Sequence, residues 1–242
     1  MTTFRITFIA LTLSLANAFG QSQLPPLEKS VEDKSTGLNV PPGFEVDLVY
    51  KVDKKKYGSW IAMAFDGKGR LAVSDQGGAG TFSIEIPKPG ETFDESKIKK
   101  LNVKSSQWGM LYAFDHLYMM GNRVLSRAKV LPNGDLGPTE VIAPMNGGGE
   151  HGPHSIVVSP DGKSLYVIAG NMTQPPKYQK TRIRDNWKDD YLLQNYAYGH
   201  NGNGKAPGGW VLKVSPDGKE RELLNMGYRN PVDFALNRDG EL

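Results

Sequence analysis

Cysteine is absent from the 242-residue sequence. Disulfides, thiolate metal sites and a Cys-x-x-Cys-His haem attachment are therefore excluded within these residues. An exported fold without disulfides is held by packing, which suits a Gram-negative periplasm or a bacterial exterior better than a small extracellular module. Long amphipathic helical patterns are also missing, and so is a strong charge of one sign. The formal net charge is +3, with no stripe of Lys or Arg interleaved with aromatics. Nucleic acid is therefore not an expected partner. Lys54-Lys55-Lys56 is a short basic run, read most simply as a solvated loop.

Long apolar runs are nearly absent too. Ile6 to Leu15 is the exception, and it is short for a bilayer span. With Arg5 before it and Ala16-Asn17-Ala18 after it, residues 1–18 read as a secretory signal peptide; the alternative is an N-terminal membrane anchor. The expected location is secreted or periplasmic, with no membrane span after signal cleavage. Residues 19–39 are expected to form a flexible N-terminal segment.

What the sequence does have is 28 Gly and 16 Pro, many in turn-like pairs. That favours short strands joined by tight turns. Three and a half similar units can be laid out. The first runs Trp60–Phe65, Leu71–Ser74, Thr81–Ile86, Ile98–Val103. The second runs Gly109–Phe114, Leu117–Met120, Arg123–Val130, Thr139–Ala143. The third runs His154–Ser159, Ser164–Ala169, Gly209–Val214, Glu220–Asn225. A fourth begins at Pro231–Leu236. First strands start near 60, 109, 154 and 231, the last spacing swollen by an insertion over 171–208. Four strands in about 45 residues is the period of a propeller blade. Asp-Gly pairs at 66–67, 161–162 and 239–240 suit two-strand hairpins. A β-sandwich with similar turns is the competing fold. A ring answers the edge-strand problem better, because each separate sheet gains neighbours on both faces.

The expected fold is thus all-β, a partial β-propeller over residues 40–242. Three and a half blades cannot close a ring. The turn Asn237-Arg238-Asp239-Gly240 repeats Ser159-Pro160-Asp161-Gly162, yet the sequence stops as the next strand starts. The sequence is therefore expected to be the N-terminal fragment of a longer protein, and to be inactive alone. Phe44–Tyr50 alternates as a strand and is expected to be the outer strand of a last blade that closes the ring.

Strands of a blade run alternately up and down. Connections into first strands and connections between second and third strands therefore share one face. Gln107, Glu150, His151, Arg229 and Asn230 sit on the first kind; Asp75, Gln76 and the insertion with His200 sit on the second. All should surround one pocket, and loops on a rigid scaffold are where binding residues concentrate.

His151 is the leading catalytic candidate, since imidazole exchanges a proton near neutral pH. Glu150 beside it is placed to orient it, although adjacent side chains on extended chain point apart. The plainer reading is a hydrogen-bonded turn histidine. His151 and His154 invite a metal reading, but two histidines without a third ligand fall short of a structural zinc site. No metal ligands are assigned. Arg229 offers a guanidinium for a carboxylate or a developing oxyanion, and Asn230 an amide; the plainer reading is a surface Arg and a turn Asn. Gln107 is a ligand-binding amide or a loop amide. The insertion holds Trp187, Tyr191, Tyr196, Tyr198, His200 and Asn201, either a sugar-binding surface or an ordinary aromatic loop. Asn171-Met172-Thr173 is a glycosylation sequon only in a eukaryotic secretory pathway, and carries no weight here.

These motifs resemble, in order, the soluble aldose sugar dehydrogenases that use pyrroloquinoline quinone (PQQ), the glucose/sorbosone dehydrogenase group of six-bladed propellers. Gln107-Trp108-Gly109-Met110-Leu111 resembles the family's Gln-x-Gly-Leu-Leu segment, His151 falls where it has its base, and Arg229-Asn230-Pro231 matches its Arg-Asn-Pro motif. Gly199-His200 through Trp210 and Tyr228-Arg229-Asn230-Pro231 resemble more closely large secreted bacterial proteins described as dehydrogenase-like or haem-binding-domain proteins. In those a cytochrome c domain often follows the propeller. Departures are His154 in place of a small residue and Gly152-Pro153 in place of Asn-Gly.

The resemblance implies a six-bladed propeller and a quinone-dependent oxidoreductase acting on a sugar or polyol. It implies His151 and Arg229 as catalytic residues and Gln107 and Asn230 as cofactor-binding residues. Glu150, His154, Asp75, Gln76 and His200 would form the rim. Cofactors would be PQQ and calcium, with haem c in a region downstream of residue 242 and a cytochrome c as electron acceptor. Two other functions stay open: a metal-dependent lactonase on a similar propeller, for which Glu150, Asn230 and Asp75 are potential ligands, and a non-catalytic propeller that binds carbohydrate or protein.

Overall fold

The computed structural model describes residues 30–33, 37–121, 123–184 and 208–242. The expected signal peptide and the insertion's aromatic residues with His200 and Asn201 lie outside the described residues. The chain divides into two compact units, Met1–Leu48 and Val49–Leu242. In the first, β1 (Val31–Asp33) pairs antiparallel with β2 (Leu38–Val40), within the stretch expected to be flexible. Val31 and Leu38 are exposed, so this pair buries little.

The second unit is nearly all-β. Among the described residues its helical content is one turn of α-helix, α1 (Lys54–Tyr57), and a 3-10 turn at Glu95–Lys97. The basic run expected as loop forms α1 because Asp53 caps it. Asp53 Oδ1 accepts from the Lys55 amide at 2.9 Å.

Three antiparallel sheets follow one another along the chain. The first holds β3 (Trp60–Phe65), β4 (Arg70–Asp75), β5 (Thr81–Glu85) and β6 (Lys99–Lys100), in that order. The second holds β7 (Gln107–Ala113), β8 (His116–Gly121), β9 (Val124–Val130) and β10 (Leu136–Pro144). A short strand, β11 (Asn146–Gly147), leads into β12 (Pro153–Val158) and β13 (Leu165–Ala169). After these come β14 (Thr173–Gln174), β15 (Lys180–Thr181), β16 (Gly209–Val214) and β17 (Arg221–Tyr228). The third sheet runs β12-β13-β16-β17, with β15 added parallel to β17, and β11 pairs with β14.

The alternating pattern therefore locates four strands in each of the three sheets and misses β15, which lies in the stretch read as an insertion. It overstates the outer strand of the first sheet, which shrinks from 98–103 to Lys99–Lys100. Phe44–Tyr50 and Pro231–Leu236 form no strand. Among the described residues neither joins a ladder, and a strand exists only as part of one.

Packing follows the period of two in strand side chains. In β8, Leu117 and Met119 face the first sheet, where they cluster with its Ala64 and Ala72 and with Met110 of the neighbouring β7. Tyr118 and Met120 face the third, against Leu165, Val167, Trp210 and Leu212. All four β8 residues are 0 or 1% exposed, so the middle sheet is dry on both faces. The first strands lie side by side, with β7 between β3 and β12. Gly109 permits the closest approach, because a Cβ there would fall on the carbonyl oxygen of His154. Residues 230–240 continue the series along β12. Asn230 meets His154, Ser155 Oγ donates to Asp233 Oδ1 at 2.6 Å, and Gly240 approaches Pro160.

Candidate functional site

His151 stands on a turn between β11 and β12 and is 1% exposed. Its Nδ1 lies 2.8 Å from Asn171 Oδ1. The amide oxygen is an acceptor, so this contact suits a ring that donates from Nδ1. The Asn171 main-chain amide in turn donates to the Arg229 carbonyl at 2.9 Å. The Met172 amide donates to the His151 carbonyl at 3.2 Å. One residue thus joins the histidine turn to the Arg-Asn-Pro turn.

His154, at the start of β12, is 3% exposed. Its Nε2 lies 2.8 Å from Asn230 Oδ1. Trp108 meets its ring edge-on, with centroids 5.9 Å apart and planes at 87°. Burial lowers the His154 pKa below its ordinary 6.5; bonds to Asn230 and the Glu150 main chain oppose that, and the nearby His151 adds to it. His154 is therefore a neutral linker of three turns at neutral pH.

The three sequence motifs accordingly meet. Trp108 and Asn230 both touch His154, and Arg229 reaches His151 through Asn171. Arg229 and Glu150 are exposed. Gln107 is 4% exposed, and its Nε2 donates to the carbonyls of Lys104 and Ser105 at 3.2 and 3.3 Å. Its Oε1 is buried without a hydrogen-bond partner.

Asp75 and Gln76 belong to a separate knot. Asp75 is buried, with Oδ1 accepting from the Ser59 amide at 2.6 Å and Oδ2 from the Ala79 amide at 2.8 Å. Burial raises its pKa, but main-chain bonds from Ala79, Gly77, Ser59 and Gln76 outweigh that and hold it below the ordinary 3.8. The Ser106 amide donates to the Asp75 carbonyl at 2.8 Å, and Ser106 Oγ to the carbonyl of Gln76 at 2.7 Å. Through Ser106 this knot braces the turn that carries Gln107 and Trp108. The Asp75 carboxylate is taken up by main-chain donors, so it shapes a turn, and Gln76 beside it is exposed.

Sequence reasoning missed Asn171, which reads there only as a sequon, and Arg123. Both line a depression of about 480 Å³ with Asn146, Gly147, Gly148, Met172 and Gln174. A signal was present: each is a polar residue two positions after the second strand of a unit, on the connection to the third strand. A second cavity, about 450 Å³, lies between β6 and β9–β10, and Gln107 is on its wall. Among the described residues no group of three or more His, Asp or Glu side chains is placed to hold a metal.

No protein-family model matches the chain, and no curated protein sequence does. Solved structures resemble it at low identity. A protein of Thermus thermophilus described provisionally as an oxidoreductase (glucose dehydrogenase) is 17% identical, with TM-score 0.47 over 74% of this chain and 55% of that one. The holo pyranose dehydrogenase PQQ domain of Coprinopsis cinerea is 12% identical, with TM-score 0.49 over 75% and 42%. A protein described provisionally as a gluconolactonase is 19% identical, with TM-score 0.47 over 88% and 62%. The chain spans less than two thirds of the length of each.

Proposed function

We propose that the three sheets are blades of a six-bladed propeller whose full-length form is a secreted, quinone-dependent sugar or polyol dehydrogenase that passes electrons to a cytochrome c. The observation that carries this reading is the bridge at Asn171, which ties the ring of His151 to the turn of Arg229. The bridge holds a proton acceptor and the main chain of an arginine turn on one hydrogen-bonded frame; the hydride acceptor would have to come from a cofactor.

Oxidising an aldose at its anomeric carbon removes a proton from oxygen and a hydride from carbon. A bound PQQ would supply the hydride acceptor. The chain supplies the base: Nε2 of His151 takes the hydroxyl proton, while Asn171 holds the other nitrogen protonated. None of the ion pairs among the described residues involves Arg229, so its guanidinium suits a cofactor carboxylate or charge developing beside it. Asn230, with its oxygen on His154, has its amide nitrogen for the same group. Gln107 acts through the turn it staples. Calcium has no carboxylate ligand set among the described residues, and no step is assigned to it. His151 is buried, so the reading requires its surroundings to open to a substrate.

The test is dye reduction by full-length protein supplied with PQQ, calcium and a panel of aldoses. Turnover that needs the quinone supports the reading. Chelator-sensitive lactone hydrolysis without quinone would replace it with the lactonase reading. Glycan binding without turnover under any acceptor would replace it with a binding propeller.

A further inference from the structure

The depression beside Asn171 has a composition of its own. Asn146 in β11 lies directly opposite Gln174 in β14, so two amides share one face of a short ladder. Arg123 stands at its margin, with its stem over Gly148, where an added Cβ would come 3.3 Å from Arg123 Cγ. The Arg123 carbonyl accepts from the Met145 amide at 2.8 Å, which anchors its backbone to the segment leading into β11. Arg123 is exposed, and none of the ion pairs among the described residues includes it.

The backbone of Arg123 sharpens the point. Gly121 pairs with Val124, so only two residues connect β8 to β9. Arg123 takes φ 65 there. That is the second central position of a tight hairpin, where positive φ makes glycine the relaxed choice. A long cationic side chain at a glycine position is a local conflict, and such conflicts concentrate where a side chain has a use.

We infer that the depression lined by Arg123, Asn146, Asn171 and Gln174 is a binding subsite for a carboxylate-bearing sugar, of the uronic or aldonic acid class. The guanidinium takes the carboxylate through two parallel N–H donors. The amides of Asn146 and Gln174 donate to and accept from ring hydroxyls. The cavity volume, about 480 Å³, accommodates a molecule of hexose size. A guanidinium fork fits a phosphate as well as a carboxylate, so a sugar phosphate is the competing ligand that the test must include. The inference concerns binding alone and does not need the oxidation reading.

Calorimetric titration of the full chain with glucuronate, glucose and glucose 6-phosphate tests it, without quinone or calcium. Glucuronate should bind about tenfold or more tightly than glucose, with glucose 6-phosphate as the competing anion. Arg123→Gly should abolish that preference while melting at the same or a higher temperature, because glycine relaxes the turn. Arg123→Lys should keep part of it. Equal binding of glucuronate and glucose, no binding of either, tighter binding of the phosphate, or an unchanged preference in Arg123→Gly would each overturn the inference. Failure here leaves the role of His151 standing, and failed dye reduction leaves this subsite standing.

Discussion

Asn171 presents its side-chain oxygen to Nδ1 of His151 at 2.8 Å. The same residue donates its main-chain amide to the Arg229 carbonyl at 2.9 Å, so it holds both the ring and the turn opposite. Asn171→Ala should lower kcat/KM of the full-length enzyme by about 10- to 100-fold, since a positioning bond to a catalytic imidazole is lost. Asn171→Asp should retain much of the rate and move the acid limb of the pH–rate profile upward, because a carboxylate favours the imidazolium. Profiles that coincide for wild type and Asn171→Asp would remove Asn171 from the site.

Gly109 is fixed by contact rather than by conformation. A methyl group there meets the His154 carbonyl, so β7 and β12 would have to separate. Gly109→Ala should cost about 3 kcal/mol in denaturant unfolding. Gly78→Ala is the control: nothing lies within 4 Å of its added carbon, and its effect should be neutral or slightly stabilising. Equal effects of the two would mean that the sheets do not approach as described.

Asp75 holds its turn through main-chain amides from four residues. Asp75→Asn keeps the shape but turns an NH2 group toward those donors, and should cost about 2–3 kcal/mol. The sign of the pH dependence follows from the depressed pKa. The contribution is complete above the ordinary 3.8 and is lost as pH falls from there through the folded value. Unfolding of wild type and Asp75→Asn should therefore converge in strong acid.

His154 behaves in the same direction one window higher. Its folded pKa lies below the ordinary 6.5. The unfolded chain then binds the proton first, so stability is complete above 6.5 and declines as pH falls below it toward the folded value. Melting temperatures of wild type across about pH 5 to 8 should show this decline, and His154→Gln should lack that component. Identical pH profiles would show that His154 is not the titrating group.

The three meanders and the shared face of their turns were legible in the sequence because side-chain alternation and turn residues are local signals. Leu117 to Met120 read as a strand at once, since both faces are apolar. Phe44–Tyr50 and Pro231–Leu236 carry the same alternation and form no strand, because pairing depends on a partner that the pattern does not name. His151 and Arg229 stand out in the sequence as side chains able to do chemistry. Asn171 was not, because its role is to hold a ring from elsewhere in the sequence. Asp75 looked like a rim carboxylate and is a turn anchor, since sequence does not reveal which backbone amides converge on an oxygen.

The most direct measurement is dye-coupled aldose oxidation by quinone-loaded full-length protein, wild type against His151→Gln at equal folded concentration. The account predicts that the glutamine variant keeps its melting temperature within a few degrees and loses about 10²- to 10⁴-fold in kcat. A variant that turns over as fast as wild type would contradict it.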